Sequence, residues 1–169
     1  MIKVIVFDID DTLWYTVEDE RAINRFERID HRRVTDYPGI AQELVENARE
    51  VLEILTYRNY LLAIGTMGPE DQVREFMKAF GIEKYFNFEI SAFDRQDKAD
   101  KIEHVLLKVN EFQDVKPSEL IFVDDNFVYL KAVNDRFPDV KCIWAHYRMP
   151  PGLKMLNIDA KEMYGIELW

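Results

Sequence analysis

Five carboxylates cluster at two points where apolar runs of the chain stop. Asp8, Asp10 and Asp11 follow the run at residues 2–7, and Asp124 and Asp125 follow the run at 120–123. Runs of this kind read as strands buried on both faces of a sheet. Open α/β sheets bind ligands in the crevice beyond the carboxyl ends of their strands, so acids placed there could hold a cation or attack a substrate. Two acidic strand ends imply one acidic site. A third run, at 60–65, ends in Thr66-Met67-Gly68-Pro69, which by itself is only a turn.

The elements that must position these groups follow from the hydrophobic pattern. Leu44, Val45, Ala48, Val51, Leu52 and Leu55 form a stripe that predicts a helix over 40–57. A strand at 60–65 leads through the Thr66 turn to a helical pattern at Val73, Phe76, Met77 and Phe80, ended by Gly81. Strands are expected at 86–92, 120–123 and 140–145, and helices at 100–112 and 127–137, with Asn126 capping the last. This βα alternation predicts one α/β domain over 1–169, with a doubly wound, mostly parallel sheet and helices on both faces. Two segments fall outside it. Residues 14–38 are polar and charged with scattered aromatics and read as a flap or small insertion over the acidic site, since structureless loops beyond about 12–15 residues are usually functional or disordered. Residues 148–169 form a tail containing Pro150-Pro151-Gly152.

Composition narrows the classes of partner. With 22 basic and 32 acidic residues the net charge is −10, and no basic run is long enough to track a phosphate backbone. Nucleic acid is therefore not an expected partner. No apolar stretch approaches the roughly 18 residues of a membrane helix, and the first strand begins where a cleavable leader would lie, so a cytoplasmic protein is expected. Cys142, the sole cysteine, lies in an apolar run and reads as a small buried hydrophobe. His31, His104 and His146 show no metal-ligand spacing.

The motifs resemble those of haloacid dehalogenase-type phosphatases. Asp8-Ile9-Asp10-Asp11-Thr12 matches that superfamily's Asp-x-Asp-x-Thr signature at the end of the first strand; Leu61-Leu62-Ala63-Ile64-Gly65-Thr66 resembles its second motif; and Val123-Asp124-Asp125 resembles its acidic fourth motif. Phe80-Gly81-Ile82-Glu83-Lys84-Tyr85-Phe86 is similar to the segment before its third strand. The Asp11-Thr12-Leu13-Trp14 run and Lys101-Ile102-Glu103-His104 resemble the small magnesium-dependent branch, which lacks a large cap.

That resemblance implies a Rossmann-like core and a phosphatase acting on phosphate monoesters of small molecules or proteins through an aspartyl-phosphate. Asp8 would be the nucleophile, and Asp10 would protonate the leaving oxygen and later activate water. Magnesium, which prefers hard oxygen ligands and keeps several waters, would be held by Asp8, Asp124, the main-chain carbonyl of Asp10, and Asp125 directly or through water. Thr66 and the backbone N–H groups of Met67 and Gly68 would cradle the phosphoryl oxygens. A lysine must offset charge there. Lys101, read as heading the third helix, is the favoured residue, with Lys98 the alternative. Asp11 reads as a turn or capping acid. Two other classes are the alternatives: a receiver-like phospho-acceptor, against which the end of the third strand near Ser91-Ala92-Phe93 offers no aspartate until Asp94, and a catalytically silent phosphate-binding module.

Overall fold

The computed structural model describes residues 1–90, 97–145 and 167–168. In chain order the elements are β1 (Val4–Phe7), β2 (Trp14–Glu18), β3 (Glu27–Arg28), β4 (Arg33–Tyr37), β5 (Ile40–Leu44), α1 (Ala48–Tyr57), β6 (Leu61–Gly65), α2 (Glu70–Phe80), β7 (Phe88–Ile90), α3 (Lys98–Asn110), β8 (Leu120–Asp124), α4 (Phe127–Arg136), β9 (Lys141–Trp144) and β10 (Glu167–Leu168). Six strands form a sheet in the order β10-β9-β8-β1-β6-β7, parallel at every pairing. From β1 the chain winds outward through β6 and β7, then crosses back to β8 on the other side of β1. That reversal places the topological switch point at the carboxyl end of β1, where an open α/β sheet keeps its ligand crevice.

Each face of the sheet has its own apolar layer. Ile5, Phe7, Leu62 and Ile64 pack against Leu52 of α1 and Val73, Phe76, Met77 and Phe80 of α2. Val4, Val6, Ala63 and Phe122 pack against Ile102, Val105 and Val109 of α3 and Leu130 and Val133 of α4. The two-faced burial of β1 explains its unbroken apolar run. Gly81 ends α2 in the left-handed conformation, with φ 71°.

The insertion is an antiparallel sheet, in the order β2-β5-β4-β3. It differs from the sequence reading in extent, because residues 40–44 belong to β5 and the helix begins only at Ala48. Leu44 and Ala48 sit four residues apart and mimic a helical stripe, but Leu44 pairs across the sheet with Trp14, and Asn47 at φ 60° starts the helix afresh. Instead of standing free, this sheet is docked on α2. Trp14, 2% exposed, packs its ring 5.7 Å from Phe76 and 5.4 Å from Phe80, and Phe26 meets Phe76 edge-on at 4.9 Å. Arg28 donates to the carbonyl of Ala79, and Gln72 to Asp36 at the irregularity in β4. Of the tail expected at 148–169 only 167–168, in β10, are described, and His146 and the end of the third strand near Asp94 lie outside the described residues.

Candidate active site

Asp8 continues β1 by donating its N–H to the carbonyl of Val123, at 2.8 Å. This ladder bond sets Asp8 beside the end of β8, where Asp124 is fully buried and Asp125 half-buried. Carboxylate oxygens of Asp8, Asp124 and Asp125 all lie within 4.8 Å of one another.

A lysine lies against this cluster. Asp97 caps α3 by accepting the N–H of Asp100, and Asp100 returns the bond to Asp97. This reciprocal cap starts the helix at Lys98. Lys98, 1% exposed, donates to Asp8, donates at 2.9 Å to the carbonyl of Gly65, and lies 3.1 Å from Asp124 Oδ2. The Tyr129 ring, 5.3 Å away, adds an aromatic face. Lys101, favoured from sequence, is also buried, but it sits behind Gly65, its Cβ 3.7 Å from where a Gly65 side chain would begin. The ion pair to Asp8 and Asp124 is made by Lys98, the alternative that the sequence reading kept open beside Lys101. The missed signal was Asp97-x-x-Asp100, a capping pattern that puts Lys98, not Asp100, at the helix start.

Asp10 is exposed, and its backbone bridges to Trp14 through the tight turn that follows β1. A Cβ built on Gly68 would stand 3.5 Å from Thr66 Oγ1 and 3.9 Å from Asp10 Oδ2. These three residues therefore converge on one small space, with the exposed Met67 beside it. Gly68 donates its N–H to Thr66 Oγ1 at 3.0 Å, so that N–H is engaged within the turn, a difference from the sequence expectation. Among the described residues, His31 and His104 are exposed. Burial pushes the Cys142 thiol up to about 12, which makes it inert as a nucleophile.

The electrostatics are those of acids crowded away from water. Burial raises the pKa of Asp8, with Lys98 opposing it. Burial and then the Asp8 charge push Asp124 up to about 7 and Asp125 up to about 6. Asp10, though the residue is exposed, is raised by partial desolvation of its carboxyl among the surrounding groups and then by Asp8. Burial opposes the charge on Lys98, but Asp8 and then Asp124 overcome it and raise its pKa. Asp124 Oδ1 accepts from the N–H of Asn126 at 2.7 Å, and its buried Oδ2 faces the Lys98 ammonium at 3.1 Å. Three converging carboxylates offer the hard oxygen donors that a magnesium-type cation takes.

A family model described as Acid Phosphatase matches residues 1–159. The chain belongs to the acid phosphatase family. The likeness extends to solved folds of the haloacid dehalogenase type. A haloacid dehalogenase-like hydrolase from Streptococcus pneumoniae is 14% identical over 85% of this chain and 84% of its own, with a TM-score of 0.60. The N-terminal part of a Bacteroides fragilis protein, containing a phosphatase domain complexed with magnesium, is 16% identical over 98% of this chain and 41% of its own, with a TM-score of 0.60. A protein from Clostridium difficile assigned as a phosphatase is 23% identical over 61% of this chain and 47% of its own, with a TM-score of 0.54. Identities this low show the fold alone, and this acid phosphatase family chain spans about half the length of the first of the similar structures. Among curated proteins, none matches. No helix of the described residues is long and apolar enough to cross a membrane.

Proposed function

We propose that this acid phosphatase family member is a magnesium-dependent phosphatase that hydrolyses phosphate monoesters through an aspartyl-phosphate, acting in the cytoplasm on a phosphorylated small molecule or protein. The observation that carries the reading is the placement of Asp8 at the sheet's switch point, against Lys98 and Asp124, with Asp10, Thr66 and Gly68 converging beside it. A phosphate monoester repels nucleophiles by its own charge, so a site for it must neutralise charge and align the groups. Asp8, Asp124, Asp125 and the carbonyl of Asp10 would hold magnesium, which supplies the countercharge that lets an anionic carboxylate approach an anionic ester.

Asp8 attacks phosphorus with a carboxylate oxygen, and the bond from phosphorus to the ester oxygen breaks as Asp10 gives that oxygen its proton. Asp10, left as a carboxylate, takes a proton from water as that water attacks phosphorus, the bond to Asp8 breaks, and inorganic phosphate leaves. An acid with a raised pKa suits the first half of this cycle. Thr66 offers its hydroxyl to a phosphoryl oxygen, and Lys98 holds the Asp8 carboxylate in place and offsets its charge.

The test is hydrolysis of an aryl phosphate with and without magnesium, by the native chain and by Asp8→Asn. Magnesium-dependent turnover in the native chain, reduced on the order of 10⁴-fold or more in the variant, is expected. Turnover that survives Asp8→Asn would rule out Asp8 as the nucleophile.

A further inference from the structure

Behind the turn that carries Asp10 and Asp11 lies a cavity that the acidic site does not use. Its volume is about 310 Å³, and it is bounded by that turn, the start of α1 and the end of β9. Phe7, Leu13, Val51, Leu52 and Ala145 make most of its wall apolar. Among the described residues, none of Asp8, Asp10, Thr66, Lys98 and Asp124 lines it. It is therefore distinct from the space on which Asp10, Thr66 and Gly68 converge. The one charged side chain in its wall, among the described residues, is the exposed Glu46.

Thr12 gives this cavity an unused polar group. The residue lines the cavity and is 2% exposed, and among the described residues its hydroxyl has no hydrogen-bond partner. The turn closes without that hydroxyl, because the N–H groups of Thr12 and Leu13 both donate to the Ile9 carbonyl, at 3.0 and 2.7 Å. A buried hydroxyl left unpaired is costly, and a change of rotamer about the Cα–Cβ bond is enough to turn it toward a guest. Protein interiors keep few voids larger than a water molecule, whereas small-molecule sites are mostly apolar pockets of about 300–1,000 Å³ with a few placed polar groups. A dry cavity of about 150 Å³ accepts benzene, so twice that volume suits a bicyclic ring. With a carboxylate in the wall and no cation among the described lining residues, an anionic guest is disfavoured. We infer that this cavity is a second ligand site, which binds a neutral, mainly apolar molecule of about bicyclic size carrying one hydroxyl or carbonyl that pairs with Thr12. Because Phe7 precedes Asp8 while Thr12 and Leu13 follow Asp11, such a ligand braces the turn from behind.

Titration calorimetry of the full chain with 2-naphthol as the probe tests this, comparing native protein with Thr12→Val and Val51→Phe. The native chain should bind with a Kd below about 1 mM. Thr12→Val keeps the side-chain shape and removes only the hydroxyl, so it should bind about 3- to 10-fold more weakly. The same variant should melt at a higher temperature than the native chain when no ligand is present, because the unpaired hydroxyl is gone. Val51 is half-buried in the cavity wall, and phenylalanine there should fill the space and abolish binding. A native chain that binds no 2-naphthol, or binding left intact in Val51→Phe shown by circular dichroism to be folded, would overturn the site. Equal affinity in the native chain and Thr12→Val would overturn the pairing with Thr12 and the ligand chemistry inferred from it.

Discussion

Lys98 and Lys101 are both buried at the start of α3, and both are cations. Only their surroundings separate them. Lys98 is ion-paired with Asp8 and Asp124, whereas Lys101 lies against Gly65 behind β6. Lys98→Met should therefore lower kcat on the order of 10²-fold or more, since it strips the charge beside the nucleophile. Lys101→Met should change kcat by no more than about 10-fold while altering stability; steady-state kinetics on variants confirmed as folded by circular dichroism would decide. Equal losses in both would mean that Lys98's position is not its role. Gly68→Ala probes the space between Thr66 Oγ1 and Asp10 Oδ2, where a methyl group would stand 3.5 and 3.9 Å from those atoms. We expect about a 10- to 100-fold fall in kcat/KM with little change in melting temperature, because the nearest core atom, on Val73, is 3.3 Å away and can yield. A fall in melting temperature with kcat/KM intact would assign Gly68 to packing alone. At this scale the acids were legible because Asp8, Asp124 and Asp125 end apolar strands. The choice between the two lysines was less legible, since a two-residue shift in the start of one helix exchanges two buried cations of the same type.

The elements of the core were legible for a physical reason that fails in the insertion. β1, β6 and β8 are buried on both faces, so nearly every residue is apolar and the runs announce themselves. β2, β4 and β5 instead bury polar groups. Glu43, 8% exposed, accepts from Tyr15 and pairs with Arg32 and Arg33, and Asp19 pairs with Arg21 and Arg33. Charged pairs across strands erase the apolar alternation by which strands are recognised, so residues 14–38 read as a loop and 40–44 as a helix. What fixes this sheet to the core is aromatic. Trp14→Ala would empty a site between Phe76 and Phe80 and should cost about 3–5 kcal/mol, measured as a loss of urea unfolding free energy. It should also impair turnover below the melting temperature, because the Trp14 ring anchors to α2 the end of the turn that carries Asp10 and Asp11. A loss under about 1 kcal/mol would mean that the insertion is only loosely held.

The whole molecule carries a net charge of −10 and concentrates part of it in a buried cluster, so its stability should depend on both pH and cation. Asp124 at about 7 and Asp125 at about 6 lie above their ordinary value of 3.8. The folded chain therefore holds protons that the unfolded chain has released, and the linkage has a definite sign. Their contribution to stability is fully present below about pH 4 and is lost as pH rises through 6 and 7. For the fully buried Asp124 the loss is on the order of a few kcal/mol. Asp124→Asn should accordingly melt several degrees above the native metal-free chain at pH 8 and close to it at pH 4, where neither side chain is charged. Magnesium should act in the opposite direction. At about 100 times its dissociation constant it adds roughly 2.7 kcal/mol to the native chain, or about 5–10 °C for a domain of this size, and more at pH 8 than at pH 5, because the ligands must first release their protons. Asp124→Asn, lacking a ligand, should melt at the same temperature with or without magnesium. Differential scanning calorimetry of both chains across pH 4–8 separates the possibilities. A native melting temperature indifferent to magnesium at pH 8 would show that the buried acids are not a cation site, whereas a magnesium shift retained in Asp124→Asn would place that cation elsewhere on this acidic molecule.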